Sequence, residues 1–457
     1  MIVSNKDILI NNARTSELSK IRRILMEVVD SAISAGNPAV SIRKWVKLNG
    51  ERLEIADHSI DLEQMGRIVV VGGGKAGVAM AMTIEQILGD RLSEGIVNIP
   101  QGMLPESYTG KIKFIEASHP IPNGSAMEGA RGMLSLVKGL GAQDLVIFVV
   151  SGGGSAIISL PAEGIALAQL QELTLLLLKS GASIQELNTV RKHLSAVKGG
   201  QLAKEACPAQ IVTLLISDVV GDGLDTIASG PTYWDSTTFS EALAVLKKYK
   251  LVDKVPEEVL RRLKDGTKWL IPETPNRGDK CFENAYFQIV GSNSDAIEAA
   301  EKTARANGLN VKILTTKLQG EAREAGQNLS CIAEEVLREG KQRPCLFLLG
   351  GETTVRVTGK GVGGRNQELA LSAVSGLAGL NDVAMISFST DGIDGPTNAS
   401  GAVVDGYTLQ RAKELGINPQ TYIEDNDAYH FFEKLEDLIL TGPTGTNIVD
   451  CTALLVL

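Results

Sequence analysis

The sequence predicts an α/β protein of two domains with mainly parallel sheets. Strand-length apolar runs alternate with helix-period segments along both halves of the 457 residues, the signature of strand–helix–strand units. Several runs are apolar without interruption, as in Leu145-Val146-Ile147-Phe148-Val149-Val150, the pattern of a strand covered on both faces. Three runs stop on glycines: Ile68-Val69-Val70-Val71-Gly72-Gly73-Gly74-Lys75, Phe148-Val149-Val150-Ser151-Gly152-Gly153-Gly154-Ser155, and Phe347-Leu348-Leu349-Gly350-Gly351-Glu352-Thr353. A strand ending in glycine ahead of a helix opens backbone N–H groups to an anion.

Taken in order, Leu18, Ile21, Ile24, Leu25 and Val28 recur at helical spacing behind Thr15 and Ser16, both capping types, and predict a helix to about Ala35. A short irregular region precedes the strand at 68–71 and its turn, and the next helix ends at Gly89. Strands follow at 95–100 and 112–115, then a turn around Pro120 and Pro122. Ser125 and Glu128 read as a capping box for a helix through Leu140. The strand 145–150 leads through its glycine turn into helical segments reaching Leu178. Ser183 and Glu186 form another capping box, opening a helix that carries Asn188, Arg191, Lys192 and His193. The strand 211–216 ends at Ser217-Asp218, a polar glycine-rich loop fills 221–232, and helices follow near 239–250 and 256–263. The Pro-, Gly-, Thr- and charge-rich stretch 265–279 marks the domain boundary, giving domains of 1–275 and 276–457. Beyond it, strands near 287–290, 311–315, 346–349 and 383–388 alternate with helices from Ser294, at 321–339, 366–377 and 407–415. The last strand, 454–457, is left open to either domain.

Bulk properties narrow the function. A net charge of −9 argues against a general nucleic-acid binder. The five cysteines are isolated, with no CxxC spacing, so neither a zinc site nor a disulfide framework is indicated. No signal-peptide pattern opens the chain, and no apolar run approaches the ~20 residues of a membrane span. The expectation is a soluble cytoplasmic protein. The 48 glycines gather in discrete loops, which points to turns and ligand loops rather than disorder.

The first glycine turn formally matches the dinucleotide fingerprint, Gly72-x-Gly74-x-x-Gly77, in its strand–turn–helix setting. The fingerprint's acid is missing, because the next strand, Gly95-Ile96-Val97-Asn98-Ile99-Pro100, ends without one. The phosphate-loop spacing fails too, since Val69 stands five residues before Gly74 and Ala76 follows the lysine. Lys75 adds a full charge to an anion loop of neither standard type; the plain alternative is a tight turn with a solvated lysine. Ser151-Gly152-Gly153-Gly154-Ser155 lacks the first glycine of a nucleophile elbow and reads as an anion nest. Asn188 to His193 with Lys198-Gly199-Gly200 gathers cations, a pattern more often a solvated face than a site. His119 and His193 lack metal-ligand spacing and are expected to make structural hydrogen bonds. Asp218, Asp222 and Asp225 follow a strand end, where one or two carboxylates suit magnesium beside substrate phosphates, unless they only form loop turns.

The second half is denser. Arg365 sits among Gly359, Gly361, Gly363 and Gly364 just ahead of a helix, and its planar fork suits carboxylate or phosphate. Thr390-Asp391-Gly392-Ile393-Asp394-Gly395-Pro396-Thr397 follows another strand, and Thr441 to Asn447 forms a further polar glycine turn. The residues alone therefore describe a two-domain enzyme for anionic ligands. Phosphoryl transfer is the chemistry that positioned cations, amides and magnesium serve best.

Together these segments resemble the class II glycerate kinases, which carry a C-terminal domain called MOFRL. The resemblance rests on Val71-Gly72-Gly73-Gly74-Lys75-Ala76, Ser118-His119-Pro120-Ile121-Pro122, Ser151 to Ser155, Val190-Arg191-Lys192-His193-Leu194-Ser195, Lys198-Gly199-Gly200, Ser217-Asp218-Val219 and Ser229-Gly230-Pro231-Thr232. It continues through Gly350-Gly351-Glu352-Thr353, Gly363-Gly364-Arg365-Asn366-Gln367-Glu368, 390–397 and Thr444-Gly445-Thr446-Asn447, in family order from about Ile68 to Asp450. One small departure is Gly73, where the family often has alanine.

The resemblance implies a larger Rossmann-like three-layer α/β/α N-terminal domain and a smaller α/β C-terminal one, with the active site in the cleft between them. It implies ATP-dependent phosphorylation of D-glycerate at its 2-hydroxyl, with Mg2+ or another divalent cation, and it admits a homodimer. The family's catalytic lysine and arginine fall on Lys75 and Arg365. Ser151, Gly152, Gly153, Gly154, Ser155, Arg191 and Lys192 are the expected glycerate-binding residues. Gly72, Gly73, Gly74, Lys198, Gly350, Gly351, Glu352, Thr353 and Asp391 are expected at the nucleotide, with Asp218 as metal ligand. Asp218 or Asp391 would hold magnesium or accept the hydroxyl proton, and the sequence does not choose between them. A nicotinamide-dependent hydroxypyruvate reductase and a non-catalytic sugar-acid binder are the competing classes. The missing ribose acid weighs against the first; the second leaves one of the two cations without a role.

Overall fold

The computed structural model describes residues 2–221, 223–340 and 343–457. Two compact units divide them: residues 38–290 form one, and the first 37 residues together with 291–457 form the other.

In the unit of residues 38–290, the central sheet has six strands. From one edge they are Ile112–Ala117, Glu94–Pro100, Ile68–Gly73, Leu145–Val150, Gln210–Ile216 and Ala285–Gly291. The first five are parallel neighbours. In chain order the strands lie third, second, first, fourth, fifth, sixth, the doubly wound order of dinucleotide-binding folds. Strands Ile68–Gly73 and Leu145–Val150 are buried along their whole length, as uninterrupted apolar runs require. Val71, Phe148, Val150 and Ile211 form one core with Met133 and Leu202 from helices on the sheet. Leu173, Leu177, Val190, Phe239, Leu246 and Leu263 form a second core among four helices.

Three local expectations change. The region read as irregular before the first glycine turn holds a three-stranded antiparallel sheet of Val46–Asn49, Arg52–Ile55 and His58–Asp61. The helix Gly124–Val137 is capped by Asn123, whose Oδ1 accepts from Ala126 N at 3.1 Å, rather than by Ser125. The Pro- and Gly-rich stretch 265–279 is not a boundary. Asp235 N donates to Pro275 O at 2.8 Å and Thr274 Oγ1 to Asp235 at 3.1 Å, strapping the stretch to its own unit. The strand after it then completes the first sheet.

The other unit holds a six-stranded sheet in the order Asn310–Leu318, Cys345–Gly351, Asp450–Val456, Val383–Ser389, Gly401–Asp405, Leu438–Ile439. Only its first pair is parallel; the other four are antiparallel. The expectation of a mainly parallel sheet fails in this half because the last strand inserts, reversed, between two strands that run the same way, and because Val383–Ser389, Gly401–Asp405 and Leu438–Ile439 pair antiparallel in succession. That strand belongs to this unit and not to the first one.

Helix Ser16–Ala35 also belongs here. Thr15 caps it, accepting from Leu18 N at 3.1 Å, and its buried face carries Leu18, Ile21, Leu25, Val28 and Ile33. Arg22 fixes the docking. Fully buried, it donates to Asp405 at 2.6 and 2.9 Å, to Asp437 at 2.6 Å and to the Leu9 carbonyl at 2.8 Å. Arg411 shares Asp437 at 2.6 Å. Burial alone would lower the Arg22 pKa, but the two carboxylates outweigh it and hold it above the usual range. Removing one member of such a network leaves uncompensated buried charge. Arg22→Met should therefore destabilise this unit by about 3–5 kcal/mol, read as an earlier urea midpoint for the transition that unfolds it.

Candidate active site

The order of the parallel sheet reverses between Ile68–Gly73 and Leu145–Val150, and ligands of such sheets bind outside the carboxyl ends of the strands at that point. Both strands end there in glycine turns, packed against each other. Gly72 lies opposite Val149. With φ +146° at Gly72 and +137° at Gly74, a Cβ on the first would overlap the Val149 carbonyl and on the second Ser151. Only glycine permits this approach.

The contact has a consequence that the motif does not show. Gly74 N donates to Asn98 O at 3.2 Å, Lys75 N to Gly152 O at 2.8 Å, and Ala76 N to Ser151 Oγ at 2.9 Å. The amides of the first turn therefore hold the second turn in place, and the nucleotide cradle expected of Gly72, Gly73 and Gly74 is not formed by their backbone. The turn's chemical contribution is the Lys75 side chain. In the second turn, the N–H groups of Gly152 and Gly153 make no hydrogen bond among the described residues. A Cβ on Gly152 would overlap the Asp218 carboxylate, and one on Gly153 would meet the His119 ring at 3.1 Å. Burial, then the charge of Lys75, lowers the His119 pKa. Lys75, His119, Asp218 and the two amides thus share one end of the sheet. Asp222 lies outside the described residues.

Behind this turn stand the other cations. Arg191 Nη2 donates to Ser155 O at 3.0 Å, and burial brings its pKa down to about 10. Lys198 is buried and donates to Ser155 O at 2.7 Å and Ile158 O at 2.9 Å. Burial, then the Arg191 charge, lowers its pKa well below the lysine range. Enclosed in this way, Lys198 braces the 151–155 turn with its ammonium engaged by two backbone carbonyls. Lys192 departs from expectation as well: its buried ammonium lies 3.5 Å from both Asp225 and Asp235, so its charge is matched within the chain. Ser229 completes the brace, its Oγ 3.0 Å from both Ser155 Oγ and Asn188 Oδ1. His193 is structural as expected, Nδ1 lying 2.7 Å from Thr189 O. His119 instead lines a cavity of about 440 Å³ with Arg191 and Gly153.

The second unit gathers a different set. Gly351 and Ser389 both pair with Asp450 across the sheet, so the ends of three strands meet in one row. Arg365, first residue of helix Arg365–Leu377, donates to both oxygens of Asp450, with Nη2 at 3.0 Å from Oδ1, and its Nη1 lies 2.8 Å from Glu352. Burial works against its charge, but Asp450 and Glu352 hold its pKa above the usual range. Asp394 occupies the N-terminus of the same helix, accepting from Asn366 N at 3.1 Å and Gln367 N at 2.9 Å. The helix end is therefore filled by a side chain. The glycine loop before it is filled too: Lys360 N, Gly361 N and Val362 N donate to Asp425 and Asp427. Glu352 N donates to Leu318 O at 2.8 Å, and Gly350 and Gly351 are strand residues opposite Cys451 and Asp450. What this half presents is Arg365, with Glu352 and Asp391 as carboxylates. Asp391 is set by Ser389 Oγ and Ile393 N, at 2.9 and 3.0 Å.

Comparison with known proteins gives two family matches along the chain. The family model described as "Domain of unknown function (DUF4147)" matches residues 24–264, and the MOFRL family model matches 345–450. A D-glycerate 2-kinase of Thermotoga maritima is 40% identical over 94% of this chain and 97% of its own. The chain belongs to the glycerate 2-kinase family. A glycerate 2-kinase of Pyrococcus horikoshii is 41% identical over 94% of the chain and 96% of its own length. A crystal structure of glycerate kinase from Thermotoga maritima superposes with a TM-score of 0.85 at 39% identity, covering 96% of this chain and 100% of that one.

Within this family member, sequence reasoning missed Asp450 and the cap made by Asp394. Asp450 carries no motif of its own, and only strand register brings it to Arg365. Asp394 was visible in the 390–397 block, but its partner helix was not. Its carboxyl is pushed up to about 7 by burial and then by the Asp450 charge. A raised acid pKa makes the folded chain bind more protons than the unfolded one between the two values. The associated stability is present below the unfolded value and is lost as pH rises through about 7. The stability difference between wild type and Asp394→Asn should thus shrink in wild type's disfavour from pH 5 to pH 8.5, measured by thermal denaturation of both at each pH.

Proposed function

We propose that the protein transfers the γ-phosphoryl group of ATP to the 2-hydroxyl of D-glycerate, giving 2-phosphoglycerate and ADP. The observation that carries this reading is the delivery of one cation in each unit, Lys75 after a strand end and Arg365 at a helix start held by Asp450, beside loops whose own amides are largely engaged. Phosphoryl transfer needs charge placed around the moving group more than covalent chemistry. Kinship with D-glycerate 2-kinases supplies the substrate.

Lys75 in one unit and Arg365 in the other are the cations offered to offset charge that develops on phosphoryl oxygens. Gly152 N and Gly153 N, with Arg191 behind them, receive an anionic group of the substrates. Magnesium bound with a nucleotide takes one or two carboxylates plus phosphate oxygens. Asp218, set against Gly152, fits that donor set, as do the carboxylates of Glu352 and Asp391. When bound, the ion would neutralise charge on the phosphate oxygens. Asp218 and Asp391 are also the candidates to take the hydroxyl proton. A nicotinamide reductase is disfavoured on the same geometry. Strand Glu94–Pro100 ends without an acid for a ribose, and its buried Asn98 is tied to Ala126 O and Ile157 O at 3.1 and 2.8 Å.

Folded Lys75→Ala and Arg365→Ala variants should each lose about 10²–10³-fold in turnover, followed by phosphorus NMR of the product from ATP, magnesium and D-glycerate. Wild-type rates in both would overturn the assignment, and a signal coupled to C3 protons would overturn the 2-hydroxyl as acceptor. Asp450→Asn removes one charge from the clamp on Arg365 and should lower kcat by up to about 10²-fold, as misplaced catalytic groups do, with the glycerate KM little changed.

A further inference from the structure

The cavity beside the second glycine turn is larger and more apolar than a three-carbon acid requires. Its volume of about 440 Å³ falls within the ~300–1,000 Å³ of sites for drug-sized ligands. One wall is helix Leu167–Lys179, which has two apolar faces. Leu170, Leu173 and Leu177 enter the core, while Gln171, Thr174, Leu175 and Leu178, spaced a turn apart, face the cavity. Leu175 is 45% exposed and Leu178 56%, and across from them Ile121 is 51% exposed. Isolated exposed aliphatic side chains need no explanation, but three lining one cavity do.

The cavity also has a polar side and a charged end. Gln171 Nε2 donates to Pro122 O at 2.7 Å, which leaves its carbonyl oxygen as an acceptor. Thr174 Oγ1 donates to Leu170 O at 2.7 Å and likewise keeps acceptor capacity. At the charged end Arg191, 9% exposed, has an Nε with no hydrogen-bond partner among the described residues. A buried guanidinium nitrogen left unpaired costs free energy unless a ligand meets it. Gly153, whose N–H is open, lines the same end.

We propose that this cavity is the nucleoside site of the kinase reading on which it rests. It holds an amino-bearing purine between Leu175, Leu178 and Ile121, with the exocyclic amine donating to Gln171 or Thr174. The adjoining phosphates meet Arg191 and Gly153. This assigns Arg191 and the 151–155 turn to the nucleotide, where the sequence pointed to the carboxylate of glycerate. The location agrees with the sheet, because the cavity opens beside the turn at which the strand order reverses.

The test is calorimetric titration of ADP alone into wild type, Leu175→Glu and Leu178→Glu, with melting temperatures checked to establish that both variants fold. Placing a carboxylate against the base should weaken ADP at least about 10-fold in each variant, while the D-glycerate KM stays within about twofold. IDP, which lacks the amine, should bind wild type several-fold more weakly than ADP. Unchanged ADP affinity in the folded variants, a loss confined to glycerate, or no ADP binding by wild type overturns the proposal. NADH titrated in parallel separates the two nucleotide classes; NADH binding tighter than ADP and lost in the same variants would overturn a nucleoside-diphosphate site. The kinase reading fails separately: a wild type that binds ADP in this cavity yet forms no phosphorylated product keeps the pocket and loses the reaction.

Discussion

The first unit depends on the approach of two strand ends to a distance at which no side chain fits. Because Gly72 and Gly74 lack Cβ atoms, the backbone after Ile68–Gly73 packs directly on Val149 and Ser151. The amides that would otherwise be open at such turns close the gap as hydrogen bonds. The two loops are tied to each other by backbone and side-chain hydrogen bonds, and Lys75 leaves the joined turn between them. The next layer repeats the principle. Lys198 and Ser229 hold the 151–155 turn from behind, so a lysine that reads as a ligand cation in the sequence is engaged by backbone instead.

The second unit reaches a similar end with charge. Asp450, Glu352 and Asp394 lie around Arg365, and its guanidinium partly offsets the burial and mutual repulsion that raise the pKa of the two aspartates. The cation is thereby aimed, and its side chain is still 31% exposed. A fixed dipole or charge needs no reorganisation when the reacting group arrives, which is where most electrostatic catalysis originates.

Much of this was legible in the sequence because period and punctuation are local. Apolar runs ending in glycine located one central strand pair of the first sheet and strand Cys345–Gly351 of the second, and Lys75 and Arg365 stood out as cations placed where glycine clears space. What stayed hidden depends on partners far along the chain. Nothing near Asp450 says that it pairs with Gly351 and Ser389, and nothing near residue 450 says that its strand runs against its neighbours. Glycine-rich loops look alike whether their amides meet phosphate or, as at 360–362, the side chains and backbone of 425–427. Lys192 and Lys198 look like ligand cations until Asp235 and the Ser155 carbonyl appear beside them. The N-terminal helix was assigned to the wrong half for the same reason: its amphipathic face shows that it packs, and not on what.

That helix also sets a problem of timing. Arg22 lies 383 residues before Asp405 and 415 before Asp437, and the strand at 450–456 that fills the middle of its sheet is translated after every other strand. The residues 38–290 can collapse on a ribosome as a finished unit while the apolar face of Ser16–Ala35 waits for its partners. At ~5–20 residues per second the wait is roughly 20–80 s. For that interval the nascent chain carries an unsheltered helix face and an arginine without its acids, so the segment made first is among the last to fold.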